Sequence, residues 1–120
     1  EGETMKYERL VVSRIVSEMM NFFFSMGAGD FTAQVVRSDE KFEITIETDY
    51  AGNQSSKIRE MTRLLRMPRA EETEEYFWSL SGEISTGQEI YLVGIMTDHV
   101  SVEHDEEARR VRIGLVRLLS

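Results

Sequence analysis

The hydrophobic pattern is most continuous near the C-terminal end of the chain. Residues Ile90 to Met96 are apolar except for Gly94, which predicts a short helix that is buried on most sides. Two segments that alternate between apolar and polar residues follow it and predict a hairpin. Their inward-facing apolar positions are expected at Val100, Val102, Val111, Ile113 and Leu115. Because Val116 and Leu118 fall on the opposite face, Gly114 is expected to host a bulge that changes the register.

The N-terminal pattern predicts a helix from Met5 to Met26, because apolar residues recur there at steps of four and three. These positions are Val12, Val16, Met19, Phe23 and Met26. Met20 and Phe24 widen the stripe beyond what one sheet can cover, so part of this helix must meet a second surface. That surface belongs either to another helix of the same chain or to a second copy of it. We expect a homodimer with Met20 and Phe24 at the interface.

Further elements lie between these two regions. Two alternating segments predict a hairpin with one solvated face, turned at residues 38–41. Its apolar positions are Phe31, Ala33, Val35, Phe42, Ile44 and Ile46. A helix is predicted over residues 56–67, where Pro68 stops it. Another helix is predicted from Ala70, with Tyr76, Phe77 and Leu80 facing inward, and Gly87 opens the buried helix.

Both predicted hairpins have one apolar face, which determines how the elements can pack. The economical arrangement is a two-layer α/β (α+β) sandwich, in which helices cover one face of a four-stranded mixed or antiparallel sheet. At 120 residues and 13.9 kDa the chain is expected to form a single domain, residues 1–120. The positions expected to point at the helices include Phe42, Ile44, Ile46, Val100, Val102, Val111 and Ile113.

Charge narrows the range of partners. The chain has 22 acidic and 14 basic residues, and its formal net charge of -8 repels phosphate backbones and anionic lipid surfaces. We therefore expect neither nucleic acid nor membrane as a partner. No apolar run approaches the roughly 18 residues that a membrane span needs, and no signal sequence is visible, so a cytoplasmic location is expected.

The chain contains few of the residues that serve as nucleophiles or metal ligands in common catalytic centres. The chain has no cysteine and two histidines, His99 and His104, which lack further residues at metal-ligand spacing. The acidic residues 105–107 are interpreted as a solvated turn, because the glycine hinge and the bidentate glutamate of a calcium loop are missing. Cysteine, zinc and Ser-His-Asp chemistry are thus not expected.

The order of elements and a few residues within them together resemble a known family. Glu18 and Asn21 lie on the first helix, Asp49 and Gly52 lie in the loop after the first hairpin, and Gly87 precedes the buried helix. This arrangement resembles the ATP-binding domain of the gyrase, histidine-kinase and anti-sigma-factor-kinase superfamily, the Bergerat fold. The resemblance covers residues 7–118. It implies ATP and Mg²⁺ as cofactors, with Asn21 as the metal ligand and with Asn21, Asp49, Gly52 and Gly87 as cofactor-binding residues.

Each motif differs from the family pattern. In the family, an acidic residue lies four positions before the metal-binding asparagine, but Ser17 occupies that position here and Glu18 is only three positions away. The adenine-binding pattern Asp-x-Gly-x-Gly is represented by Asp49-Tyr-Ala-Gly52. Glu89 stands where a second phosphate-binding glycine is expected after Gly87, and its carboxylate would repel phosphate.

The resemblance therefore implies a degenerate member of the superfamily. We expect a regulatory or protein-interaction module in signalling, with a protein partner and little or no ATP turnover, so the expectation leans against an enzyme. One alternative is an active nucleotide-binding protein with drifted motifs, like the anti-sigma-factor kinases. Another is an unrelated small-ligand-binding α+β domain. A nucleotide pocket would leave a cleft between residues 49–56 and Gly87, whereas an interaction module would fill that space with Tyr50 or Tyr91.

Overall fold

A computed structural model describes residues 2–74 and 88–119 of the protein. Within these ranges, helices α1, α2 and α3 cover Gly2–Ser25, Ser55–Leu65 and Gln88–Ile95. Strands β1, β2, β3 and β4 cover Phe31–Arg37, Lys41–Asp49, His99–Asp105 and Arg110–Leu118. Residues 71–74 are also helical. The predictions for Tyr76, Phe77, Leu80 and Gly87 lie outside the described residues.

The four strands form one antiparallel sheet in the order β1-β2-β4-β3. The alternation in β2 places Ile44 and Ile46 opposite Leu115 and Ile113 of β4, and these side chains are fully buried. Glu43, Thr45 and Glu47 occupy the opposite face, where they are exposed or half-buried. The predicted two-layer arrangement with one solvated sheet face is therefore confirmed.

The helices lie over the inward face of the sheet in a definite order. α1 contacts β1, β2 and α3, whereas α2 contacts α3 and β3. α3 thus lies between the other two helices, which explains why Leu92, Val93 and Ile95 are all buried. Its close fit against α2 depends on Gly94, because a Cβ atom there would lie 2.3 Å from the carbonyl oxygen of Leu64.

Two details of the strands differ from the sequence predictions. No bulge occurs at Gly114, since β4 pairs with β2 without interruption from Arg110 to Leu118. Val116 and Leu118 simply lie on the solvated face, and Gly114 makes room for the Ser101 hydroxyl, which would lie 2.7 Å from a Cβ atom. In addition, the predicted inward positions Ala33 and Val35 of β1 are exposed, because α1 leaves this edge of the sheet uncovered.

The first helix begins at Gly2 rather than Met5 and ends close to the predicted residue. Val12, Met19, Phe23 and Met26 are buried as its pattern predicts, while Met20 and Phe24 are 36% and 51% exposed. No helix in residues 2–74 and 88–119 has both the length and the apolar character needed to cross a membrane.

Candidate functional site

Two of the predicted site residues, Asp49 and Gly52, lie where β2 ends and in the loop that follows it. This loop folds back onto the C-terminal end of α1. The Asp49 Oδ1 atom accepts hydrogen bonds from the backbone N–H groups of Gly29 at 2.8 Å and Asp30 at 3.1 Å. These bonds, first of all that from Gly29, lower the pKa of the Asp49 carboxyl, because they stabilise its charged form.

The rest of this loop is fixed to α1 through the Met26 carbonyl oxygen. That oxygen accepts hydrogen bonds from the Ala51 N–H at 2.9 Å and from the Gln54 side chain at 3.0 Å. Gln54 also donates to the Ala51 carbonyl. Gly27 has a φ of 85°, and a Cβ atom there would lie 2.7 Å from the Ala51 side chain. The loop after β2 and the C-terminal end of α1 therefore form one closely packed unit.

Tyr50 connects this unit to the far edge of the sheet. Its side chain is only 4% exposed, and its hydroxyl lies 2.6 Å from Nε2 of His104 in β3. The Tyr50 N–H also donates to the Arg109 carbonyl at 3.2 Å. An aromatic side chain of the loop thus belongs to the core. That Tyr50 or Tyr91 fills the space toward Gly87 stays a prediction, because Gly87 lies outside the described residues.

The predicted metal ligand lies apart from the Asp49 loop. Asn21 is exposed on α1, as is Ser17 one turn before it. Glu18 forms an ion pair with Arg14 at 3.1 Å along the same helix. The acidic side chain nearest the predicted magnesium position is therefore engaged by Arg14, and no group of three or more His, Cys, Asp or Glu residues that could hold a metal ion occurs in the described part of the chain.

Glu89, which stands where a second phosphate-binding glycine was expected, occupies the first turn of α3. The residue is half-buried, and its Oε2 atom is shielded from solvent and has no hydrogen-bond partner among residues 2–74 and 88–119. The helix dipole stabilises a carboxylate near a helix N-terminus, and this explains how the Glu89 carboxylate can be accommodated at the start of α3. That carboxylate also adds negative charge where a phosphate would have to bind.

The most extensive polar cluster of the described residues is centred on Arg117 of β4, a residue that was not predicted from the sequence. This side chain is 1% exposed and uses all five of its N–H donors. It binds the Glu8 carboxylate at 2.6 and 3.1 Å, the Glu74 carboxylate at 3.0 and 3.1 Å, and the Met96 carbonyl at 2.7 Å. The hydroxyl of Tyr7 donates to Glu74 as well.

This cluster is a structural clamp, because it joins α1, residues 71–74, the end of α3 and β4. Burial alone would lower the pKa of Arg117, but the hydrogen bonds and charges of Glu8 and Glu74 outweigh it and raise that pKa. Burial and the hydrogen bond to Glu74 also raise the pKa of Tyr7. Arg117 remains a cation and Tyr7 a neutral donor over the whole physiological range.

One sequence signal could have revealed the cluster. Val111, Ile113, Leu115 and Arg117 follow one another at every second position, so Arg117 is in phase with the buried face of β4. A cation in that phase requires an internal partner. The partners themselves, Glu8 and Glu74, lie too far away in the sequence to be identified from spacing.

Comparisons with family models, with curated proteins and with solved structures gave no match for the chain. The resemblance to the Bergerat fold therefore stays a prediction that rests on the residues and the order of elements given above.

Proposed function

We propose that the protein is a cytoplasmic regulatory or protein-interaction module on a degenerate histidine-kinase-like ATPase scaffold, with little or no ATP turnover. The observation that supports this most directly is the engagement of Asp49. Its Oδ1 atom accepts two backbone hydrogen bonds from the turn after α1, so the carboxylate that would read an adenine amino group serves to hold the loop in place.

The residues present are poorly suited to bind Mg²⁺ and ATP. Glu18 is paired with Arg14, and Ser17 cannot act as a general base near pH 7. Glu89 places a carboxylate near the expected phosphates. At a separation of about 4 Å, two unit charges repel by roughly 1 kcal/mol in water and about 4 kcal/mol at an effective dielectric constant of 20, so a five-fold to several hundred-fold loss of affinity is expected.

Titration calorimetry with Mg-ATP tests the proposal. The parent protein, Glu89→Gly and Glu106→Gly should be compared, because Glu106 is an exposed turn residue whose replacement removes the same charge elsewhere. We expect binding weaker than about 1 mM for the parent and for Glu106→Gly. Binding recovered only in Glu89→Gly would support a degenerate pocket.

Two other outcomes favour the alternative functions. Micromolar binding of Mg-ATP to the parent would contradict the degenerate-pocket proposal and favour an active nucleotide-binding protein. Binding of a small molecule without phosphates, with no effect of Glu89→Gly, would favour the unrelated ligand-binding domain.

A further inference from the structure

The exposed apolar side chains of the described residues are concentrated at one edge of the sheet. Leu10, Met20 and Phe24 on α1 and Val35 on β1 are 36% to 51% exposed. A groove separates α1 from β1, and its walls are formed by Arg9, Val12, Ser13, Val16, Ser17, Met20 and Val35. We call this surface, formed by the outer side of α1 and the strand β1, the β1 edge.

Along this edge the backbone of β1 has hydrogen-bonding groups that no other strand of the described sheet uses. The Asp49 N–H donates to Asp30, and the Ser38 N–H donates to Lys41. Hydrogen-bonded pairs alternate in an antiparallel ladder, so the even-numbered residues of β1 bond to β2. The N–H and C=O groups of its odd-numbered residues, including Ala33 and Val35, therefore point away from the sheet.

β1 lacks the features that usually prevent an edge strand from pairing with another chain. Residues 31–36 contain no charge and no proline, and the pairing with β2 is continuous from Phe31 to Arg37. The opposite edge, β3, carries Glu103 and Asp105 within its seven residues, so two copies of it would repel each other. Of the two edge strands of the described sheet, β1 alone is suited to pair with itself.

The exposed side of α1 is suited to the same kind of contact. Leu10, Ser13, Ser17, Met20 and Phe24 recur at steps of three and four, which places them on one stripe. Large residues occupy both ends of this stripe and serines occupy its middle. When two such helices run antiparallel about Ser17, the small serines meet at the centre and allow the helices to approach closely, while Leu10 of each copy lies opposite Phe24 of the other.

The two symmetric contacts share one axis. Phe24 of α1 packs beside Phe31 of β1, with ring centroids 6.0 Å apart, so these residues mark the same level. From Phe31 to Gln34 the strand advances about 10 Å, and from Phe24 back to Ser17 the helix advances about the same distance. Gln34 and Ser17, the midpoints of the strand and of the stripe, thus lie at one level.

We propose that the β1 edge binds a second copy of this chain, with the two β1 strands pairing antiparallel about Gln34 and the two α1 helices packing antiparallel about Ser17. The two sheets then become one continuous sheet of eight strands. In this register Ala33 of each copy lies opposite Val35 of the other, and their unused N–H and C=O groups are satisfied. Met20 and Phe24 are covered by the second α1 helix.

The distribution of charge favours self-association through the β1 edge, because this part of the chain carries less negative charge than the rest. The chain as a whole has a net charge of -8, which opposes self-association. α1 balances Glu3, Glu8 and Glu18 with Lys6, Arg9 and Arg14, and β1 adds only Arg37. Two copies therefore meet at a surface without net negative charge. Self-association through the β1 edge is independent of whether the protein binds ATP, so either proposal can fail without the other.

Cysteine cross-linking tests the predicted axis, because the natural chain contains no cysteine. Gln34 bonds to β2, so at the outer edge it forms a non-hydrogen-bonded pair with its own copy, where Cα atoms lie about 4.5 Å apart. That distance permits a disulfide. Val36→Cys is the control on the same face of the same strand, since its two copies would be separated by about 13 Å along the strands.

We expect diamide to convert most of Gln34→Cys to a covalent dimer and to leave Val36→Cys largely monomeric. Cross-linking of both variants to the same extent, or of neither, would contradict the pairing about Gln34.

A second pair of variants tests the interface without oxidation. Val35 and Val36 are 44% and 49% exposed, but only Val35 lies in the groove beside α1. Val35→Lys places two ammonium groups close to the axis, whereas Val36→Lys points into the solvated face. By sedimentation at about 100 µM, we expect dimers for the parent and Val36→Lys and at least a ten-fold weaker association for Val35→Lys.

Near-identical circular dichroism spectra of the parent and both lysine variants would show that the fold is intact. A monomeric parent at this concentration, or an unchanged dimer of Val35→Lys, would overturn the proposal. In the first case the β1 edge would have to bind a different protein or remain free.

Discussion

A single guanidinium, that of Arg117, holds four parts of the molecule together through two carboxylates and a backbone carbonyl. We predict that Arg117→Met lowers the free energy of unfolding by about 3–5 kcal/mol, because Glu8 and Glu74 would be left as buried like charges without a cation. Urea denaturation at pH 7 measures this change. The apolar methionine side chain offers no hydrogen bond or charge to the two carboxylates that lose their partner.

Arg112→Met provides the control for this prediction. Arg112 also contacts two carboxylates, Glu47 at 3.3 Å and Glu103 at 3.9 Å, but its side chain is 58% exposed. Exposed ion pairs contribute about 0–1 kcal/mol, so we expect a change within that range. Equal effects of the two substitutions would show that the buried cluster has no special role in stability.

Asp49 leads to a prediction about pH. Hydrogen bonds from Gly29 and Asp30 keep its folded-state pKa below the unfolded value near 3.9. The resulting stabilisation is complete above the unfolded pKa and is lost as the pH falls through the folded pKa. We expect Asp49→Asn to be about 0.5–2 kcal/mol less stable than the parent at pH 7, and this difference to shrink below about pH 4.

Urea denaturation at pH 7 and pH 3 measures this effect. Asp39→Asn is the control, since Asp39 is an exposed turn residue and its substitution should change stability little at either pH. A difference between parent and Asp49→Asn that stays constant with pH would mean that the charge of Asp49 does not contribute.

At the scale of elements, the contact between α2 and α3 depends on the absence of one side chain. Gly94→Ala would raise helix propensity by about 1 kcal/mol, yet its Cβ atom would lie 2.3 Å from the Leu64 carbonyl oxygen. The obstacle is backbone and cannot rotate away, so the two helices must move apart. We predict a net destabilisation of about 1–3 kcal/mol by thermal and urea unfolding.

Gly29→Ala is the matched control, because nothing lies within 4 Å of its Cβ position and its φ is not in the left-handed region. We expect a change within about 0.5 kcal/mol. A stabilised Gly94→Ala variant would show that propensity outweighs packing at this contact.

The sequence predicted some elements better than others for physical reasons. The alternation in β2 and β4 identified the correct buried faces, because each of these central strands buries one face in the core. The same alternation in β1 was misleading, since it reveals the polarity of a face and not whether a helix covers it. The bulge expected at Gly114 was wrong because Val116 and Leu118 on the solvated face need no change of register.

At the scale of the whole molecule, the fold class followed from local patterns, whereas the candidate site did not. The Asp49 carboxylate is bound by backbone groups of a turn about twenty residues earlier in the chain. Tyr50 reaches His104 at the other side of the sheet. Such contacts depend on how α1 packs against the sheet, and the spacing of residues in the sequence does not predict that packing.

The net charge of the whole molecule provides the last prediction, which concerns the salt dependence of self-association. Two bodies of charge -8 with centres about 30 Å apart repel by roughly 9 kcal/mol in water without salt. The Debye length falls from about 30 Å at 10 mM salt to about 10 Å at 100 mM, so added salt removes most of this repulsion. The contact has few ion pairs to lose, since residues 31–36 of β1 are uncharged and so is the α1 stripe of Leu10, Ser13, Ser17, Met20 and Phe24. We therefore expect the dimer dissociation constant, measured by sedimentation, to decrease at least ten-fold between 10 and 150 mM NaCl. An interface held by complementary charges would show the opposite trend, and an increase in the dissociation constant would place the contact elsewhere on the molecule.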